Sequence, residues 1–241
     1  MTRVTAILPA AGLGTRMGAD TPKQFLSLDG VPVLLFTLRR LAASPAITDF
    51  VISTRAEEVD SLTAGIAQEK IGRPVRVVRG GDTRQDSVAN ALAEVPAETD
   101  LILVHDAVRP LVTRDQIERV IAEASACGAA ILGIPAMDTV KEVKRATPQG
   151  GGSDVALITA TIPRERVVLA QTPQVFRAAL LLEAFGRARA DGASASDEAG
   201  LVERLGHDVH VVPGSERNLK ITRPGDMELA EFYLRQEGSS R

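Results

Sequence analysis

Val4-Thr5-Ala6-Ile7-Leu8-Pro9-Ala10-Ala11-Gly12-Leu13-Gly14-Thr15-Arg16-Met17-Gly18, with Pro22-Lys23-Gln24 close behind, is the stretch on which the fold turns. The run Val4–Leu8 is too short for a buried helix and reads as a buried strand. Small residues come directly after it, and glycines let backbone N–H groups come close to a polyphosphate. Arg16 adds a planar fork of donors and Lys23 a compact mobile charge. Spacing argues against two other loop types. A Walker loop ends in Gly-Lys-Ser/Thr, absent here. A dinucleotide fingerprint needs its third glycine at position 17, where Met17 stands, and Gly18 comes one residue late. A plain tight turn with exposed charges accounts for a glycine pair, but not for the strand, three glycines, Arg16 and Lys23 together.

Beyond this loop, Phe50–Ser53, Val75–Val78, Leu101–His105 and Ala130–Ile134 read as further short buried strands. Helical periodicity fills the gaps. Leu34, Leu38 and Leu41 share one face, as do Val88, Ala91, Leu92 and Val95, and then Ile117, Val120, Ile121 and Ala124. Thr113 and Gln116 are spaced as a capping box. Strand–helix alternation predicts an α/β, Rossmann-like, mainly parallel sheet with helices on both faces, built as one domain over 1–241. Ligands in such sheets bind at the carboxyl ends of the strands. From about Asp138 to Thr172 the rhythm breaks. Thr139–Val143 and Val155–Thr161 flank a turn with Gly150, Gly151 and Gly152, which predicts an inserted β-hairpin arm. A lone two-stranded arm is marginal in water, so packing against a second subunit, as a homodimer, would stabilise it.

Composition removes several classes. With 28 basic and 31 acidic residues among 241, no basic field advertises nucleic acid. Aromatics at 3% leave few platforms for stacked bases. Cys127, the single cysteine, forms no disulfide within the chain and no cysteine-rich metal site, and reads as a small buried hydrophobe. His207 and His210 have no metal-ligating partner at suitable sequence spacing. No run approaches the ~18 apolar residues of a membrane helix, and Pro9 stops the N-terminal apolar run short of a signal peptide. No membrane is expected, and the expected location is cytoplasmic.

Five more segments carry polar chemistry after apolar runs: Gly80-Gly81-Asp82-Thr83-Arg84 with Ser87, Val104-His105-Asp106-Ala107-Val108-Arg109-Pro110, Asp138-Thr139-Val140-Lys141, Gln171-Thr172-Pro173-Gln174 and Asn218-Leu219-Lys220-Ile221-Thr222. With the first loop, and in this order, they resemble the 2-C-methyl-D-erythritol 4-phosphate cytidylyltransferase family of sugar-phosphate nucleotidyltransferases. The resemblance covers nearly the whole chain. It implies transfer of a cytidylyl group from CTP to methylerythritol phosphate with release of pyrophosphate, assisted by Mg²⁺ or another divalent cation.

The resemblance also implies roles. Arg16 and Lys23 would steady the transition state, and Arg164 and Lys220 would position the attacking phosphate. Ala10, Ala11, Gly12, Gly14, Gly81, Asp82, Ser87 and Ala107 would hold CTP. Asp106, Arg109, Thr139 and Ser196 would hold the second substrate, with Thr139 and Arg164 offered by the neighbouring subunit's arm. Arg166 competes with Arg164 for its place. Simpler readings stand beside these. Ser87 could only cap a helix, Asp106 could only pair with Arg109, and Asp197 and Glu198 could cap the helix that follows them. Asp106, an acid at a strand end, is also the candidate metal ligand. His105, on a buried strand, is expected to be structural. Lys220 is read on a strand between Leu219 and Ile221. The nearest alternative activity is a pentitol-phosphate cytidylyltransferase, such as one acting on ribitol 5-phosphate. More distant ones are a Rossmann oxidoreductase and a catalytically dead nucleotide sensor.

Overall fold

In a computed structural model, residues 2–12, 23–146 and 155–239 are described. The first strand, β1 (Val4–Pro9), shows why the sheet has two faces. Val4, Ala6 and Leu8 enter one core cluster and Ile7 enters another, the period-2 alternation of a strand covered on both sides. A small hairpin of β2 (Ser27–Leu28) and β3 (Val31–Pro32) leads into α1 (Val33–Ala42). Then come β4 (Asp49–Thr54), α2 (Val59–Gln68), β5 (Val75–Arg79), α3 (Arg84–Leu92), β6 (Leu101–Val104), α4 (Arg114–Cys127) and β7 (Ala129–Pro135). All five expected strands and all three apolar helix faces are present. Thr113 and Gln116 form the expected capping box of α4.

The arm is β8 (Val140–Ala146) paired antiparallel with β9 (Val155–Ile162). It ends earlier than the expected boundary near 172. Val168–Arg177 is instead β10, which joins the main sheet between β7 and β6 and runs antiparallel to both. The chain then continues through α5 (Ala178–Ala190), α6 (Glu198–Glu203), β11 (His210–Pro213) and α7 (Pro224–Ser239). The main sheet has the order β11-β7-β10-β6-β1-β4-β5. Every neighbouring pair without β10 is parallel, so one end of the sheet collects the carboxyl ends of six strands.

Leu34, Leu38, Leu41, Leu62, Ile117 and Val120 cover one face, and Val88, Ala91, Leu181, Phe185 and Val202 the other. Burying each of the larger of these side chains contributes about 1.5–3 kcal/mol. A third, smaller cluster ties α7 to the region after β6 through Leu28, Val108, Leu111, Ile221 and Ala230. The segment around Lys220 is not the strand expected from its flanking apolar residues. Ile221 N–H donates to Val108 O (2.9 Å) as a single loop contact, and Ile221 is buried among the third cluster.

Candidate active site

β1, β5 and β6 end on a common cavity, lined by Ala10, Ala11 and Gly12 from the first, Gly81, Asp82, Arg84 and Ser87 from the second, and Asp106 and Ala107 from the third. Lys220 closes it from the loop before α7. Nine residues expected to hold substrates or to position them therefore meet in one place. Gly14 and Arg16 lie outside the described residues. Lys23 opens a 3₁₀ turn, Lys23–Phe25, and its side chain also lies outside them. The next residue, Gln24, is buried and donates through Nε2 to Ala10 O at 2.7 Å, which pins that turn against the loop leaving β1.

The β5 end is shaped by close approach. The N-cap of α3 is Thr83, which forms a reciprocal capping box with Asp86. The simpler reading, in which Ser87 only caps the helix, therefore does not hold. Ser87 Oγ accepts from Gly81 N–H at 3.1 Å and donates to Thr83 O at 2.9 Å, holding the glycine turn from beneath. A Cβ on Gly81 would stand 2.3 Å from Asp86 Cβ. Gly81→Ala is expected to cost about 1–3 kcal/mol by overpacking. An unchanged urea midpoint would show that the turn absorbs the methyl.

At the β6 end, Asp106 is almost fully buried and ringed by cations. Its Oδ1 accepts from Arg84 Nε at 3.3 Å, and its Oδ2 meets Arg109 Nε at 3.1 Å and Lys220 Nζ at 3.0 Å. Burial alone would raise this carboxyl's pKa, but Lys220, Arg84 and Arg109 hold it well below the usual carboxylate range. The simpler reading of Asp106 and Arg109 as an ion pair holds; Asp106 lines the cavity, whereas Arg109 is not among its lining residues. Asp106 does not fit the metal-ligand role expected from its strand-end position. A dication there would sit among three cations competing for the same two oxygens. Arg109, 9% exposed, also donates to Asn218 O at 2.7 Å, whereas the Lys220 side chain is 35% exposed. Lys220 is the member of this cluster best able to reach a ligand.

Arg84 was not among the expected site residues. It opens α3, reaches Asp106, and grips Glu198 with two hydrogen bonds of 2.7 and 2.9 Å. Burial works against the Arg84 charge, but Glu198 and Asp106 outweigh it and raise its pKa. Burial pushes the Glu198 carboxyl up, and the two arginine hydrogen bonds oppose that push. Asp197 caps α6 as expected, accepting from Gly200 N–H at 3.1 Å, while Glu198 is drawn inward to Arg84. Neighbouring Ser196 is exposed and does not line the cavity. The only sequence signal for Arg84 is its place in Gly80-Gly81-Asp82-Thr83-Arg84, because its partner lies 114 residues away.

His105 is buried and structural, as expected. Its Nε2 faces Arg109 O at 3.1 Å and its Nδ1 faces Thr172 Oγ1 at 3.0 Å. Burial pushes its pKa down from 6.5 to about 4. A histidine depressed in the fold binds its proton more readily when unfolded, so stability falls as pH drops from about 6.5 to about 4. The expected loss is about 3 kcal/mol across that window. Urea midpoints at pH 7 and pH 4 should fall less for His105→Asn than for the parent; equal falls would assign the acid sensitivity elsewhere.

Thr139 and Arg164 are exposed and do not line this cavity. Both stand at the base of the arm, next to the Val140–Ile162 pair, and Arg164 Nη1 donates to Met137 O at 2.9 Å. Arg166 belongs to the same 3₁₀ turn, Arg164–Arg166. His210 corrects a further expectation. Although no partner is near it in sequence, the fold brings it to Glu123 and Cys127.

The model of the family "2-C-methyl-D-erythritol 4-phosphate cytidylyltransferase" matches residues 4–236. Proteins of that name from Acidobacterium capsulatum and Solibacter usitatus are 54% and 50% identical to this chain. The first alignment spans 98% of this chain and 99% of that protein, and the second 98% of each. Among solved structures, the 2-C-methyl-D-erythritol 4-phosphate cytidylyltransferase of Thermus thermophilus superposes with a TM-score of 0.75 at 35% identity, covering 98% of this chain and 100% of that one. The 4-diphosphocytidyl-2C-methyl-D-erythritol synthase of Anaerococcus prevotii gives 0.82 at 26% identity, covering 97% and 99%.

Proposed function

The chain belongs to the 2-C-methyl-D-erythritol 4-phosphate cytidylyltransferase family, and on that basis we propose how its residues divide the work. The reaction is CTP-dependent synthesis of CDP-methylerythritol in isoprenoid biosynthesis. A phosphate oxygen of methylerythritol phosphate forms a bond to the α-phosphorus of CTP, and the bond from that phosphorus to the bridging oxygen of pyrophosphate breaks. A phosphate monoester has its second pKa near 6, so the nucleophile is already ionised at neutral pH. No general base is needed, in keeping with a His105 committed to two internal hydrogen bonds. Catalysis then rests on positioning and on cations matched to developing charge.

The chain acts as one nucleotidyltransferase domain with a projecting arm. Ala10, Ala11, Gly12 and Gly14 cup the triphosphate; Gly81, Asp82, Ser87 and Ala107 hold the nucleoside. Arg16 and Lys23 steady the reacting phosphorus. Lys220 draws in the attacking phosphate while Asp106 holds Lys220 in place, Arg109 anchors the Lys220 loop through Asn218 O and contributes to holding the substrate, and Ser196 contributes at the substrate's margin. The single observation that carries this reading is the Asp106–Lys220 contact, which aims a partly exposed ammonium into the cavity where six parallel strands end. A divalent cation, Mg²⁺ foremost, accompanies CTP, and Asp106 is not its ligand. A coupled pyrophosphate assay over four nucleotides, with methylerythritol phosphate and ribitol 5-phosphate in turn, tests the substrate assignment. Turnover is expected with CTP and methylerythritol phosphate, and faster turnover with ribitol 5-phosphate would overturn it.

Thr139 and Arg164 reach the substrate phosphate from the arm of a second copy. Supporting this, Val143, Leu157 and Ile158 of the arm and Met137 at its base are exposed apolar side chains that one chain leaves uncovered. Mixing inactive Lys23→Ala subunits with inactive Arg164→Ala subunits should restore part of the activity, since the mixed dimer contains one intact site. Silence on mixing would assign Arg164 to its own chain's site, and inactivity of Arg166→Ala alone would move the role to Arg166. Among the described residues no helix is long and apolar enough to cross a membrane; with CTP as substrate, the cytoplasm is the expected compartment, with no role for nucleic acid.

A further inference from the structure

At the opposite end of the sheet from the cavity, three side chains of metal-ligating type converge. Glu123 and Cys127 stand four residues apart on α4 and so share one face. His210 opens the edge strand β11, with its backbone in register with Ala130 of β7. One ligand atom from each of the three lies within 4.8 Å of the other two. His210 Nδ1 is 2.7 Å from Glu123 Oε1, and Cys127 Sγ donates to Ala129 O at 3.2 Å. Gly128 fixes this juxtaposition. Its φ of 100° ends the helix and turns the chain at once into β7. Cys127 is thereby held beside the strand that carries β11.

We propose that Glu123, Cys127 and His210 form a site for a borderline divalent transition ion of the Zn²⁺ class, which clips the last turn of α4 to the edge of the sheet. The donor set decides the class. A thiolate, an imidazole and a carboxylate suit Zn²⁺ or Co²⁺, whereas Mg²⁺ prefers oxygen ligands and ordered water. The site is therefore chemically distinct from the ion that travels with a triphosphate, as well as lying at the amino ends of β7 and β11 rather than the carboxyl ends. Bond lengths of about 2.0–2.3 Å place tetrahedral ligands roughly 3.3–3.7 Å apart. The histidine and carboxylate must spread slightly and the thiol close in, which partly exposed side chains can do by rotamer adjustment. A groove lined by Arg119, Ala122 and Val211 leaves the site open to solvent, and water completes the coordination. Arg119 does not bar a cation, because its Nε is drawn back to Asp115 at 2.8 Å. The charges balance, since thiolate and carboxylate together match a dication. On loading, the thiol proton goes to solvent and the ion replaces the hydrogen held between His210 and Glu123.

The test uses the full-length, untagged protein, stripped of metal by chelator and titrated with Co²⁺ alone while its absorption spectrum is followed. One equivalent should bind, giving tetrahedral ligand-field bands and a thiolate-to-cobalt charge-transfer band that Zn²⁺ removes and excess Mg²⁺ does not. Cys127→Ser should abolish the charge-transfer band, and His210→Ala, at an exposed position, should weaken binding by about tenfold or more. His207→Ala should leave both unchanged. A missing charge-transfer band, a band that survives Cys127→Ser, or loss of binding through His207→Ala would each overturn the proposal.

Discussion

Lys23→Ala is expected to lower kcat by about 10²–10³, the usual cost of removing one preorganised donor from developing negative charge. Cytidylyl transfer gathers charge on the oxygens of the α-phosphorus and on departing pyrophosphate, and the protein forms no bond to either. A cation held in place before the reaction needs no reorganisation as that charge appears. Gln24, next in sequence, ties the turn that Lys23 opens to Ala10 O. The loss should fall on kcat more than on KM, because the interaction strengthens only as charge builds. Steady-state kinetics with CTP varied at saturating methylerythritol phosphate separate the two. A kcat within twofold of the parent would remove Lys23 from the mechanism.

Asp106→Ala is expected to destabilise the fold by about 3–5 kcal/mol and to abolish measurable turnover. Taking away a buried partner leaves its counter-charges uncompensated, which costs more than the pair itself is worth. Here three cations share the one carboxylate. Arg84 retains Glu198, whereas among the described residues Arg109 keeps the Asn218 carbonyl alone, and Lys220 loses the contact that directs it into the cavity. Asp106→Asn keeps the shape and removes the charge, so it should fold better yet still turn over poorly. It should also leave the dependence of rate on Mg²⁺ concentration unchanged in shape, since the carboxylate is already occupied by protein cations. A strongly weakened Mg²⁺ response in Asp106→Asn would restore a metal-ligand role to this carboxylate.

Legibility differed from site to site for definite reasons. The Gly12 and Gly81 turns were readable because a glycine requirement is local: strand end, small residues and close backbone approach all fall within a few positions. Lys220 is legible only through resemblance, and its flanking residues suggest a strand that the fold does not form. Leu219 and Ile221 look like strand residues, yet they are apolar because the third cluster needs them. β10 is not legible in the sequence, because Thr172-Pro173 interrupts its alternation. Its ladder shifts register between Ala170 and Gln174, and the displaced segment turns Thr172 Oγ1 toward His105 and the Asp106 amide.

The alternation of strand and helix, the two-sided burial of the sheet, the phosphate-cupping loop and the order of its companion segments are all written in the order of residues. They arise from periodicities of 2 and 3.6 residues and from the geometry of glycine, which neighbouring residues impose on one another. It took the packed fold to show that Arg84 meets Glu198, that Asp106 is shared among three cations, and that Glu123, Cys127 and His210 converge. Those partners are 114, up to 114 and 87 positions apart. Long-range pairs of this kind are set by strand order, because a side chain's charge carries no record of which distant neighbour the packed core will bring to it.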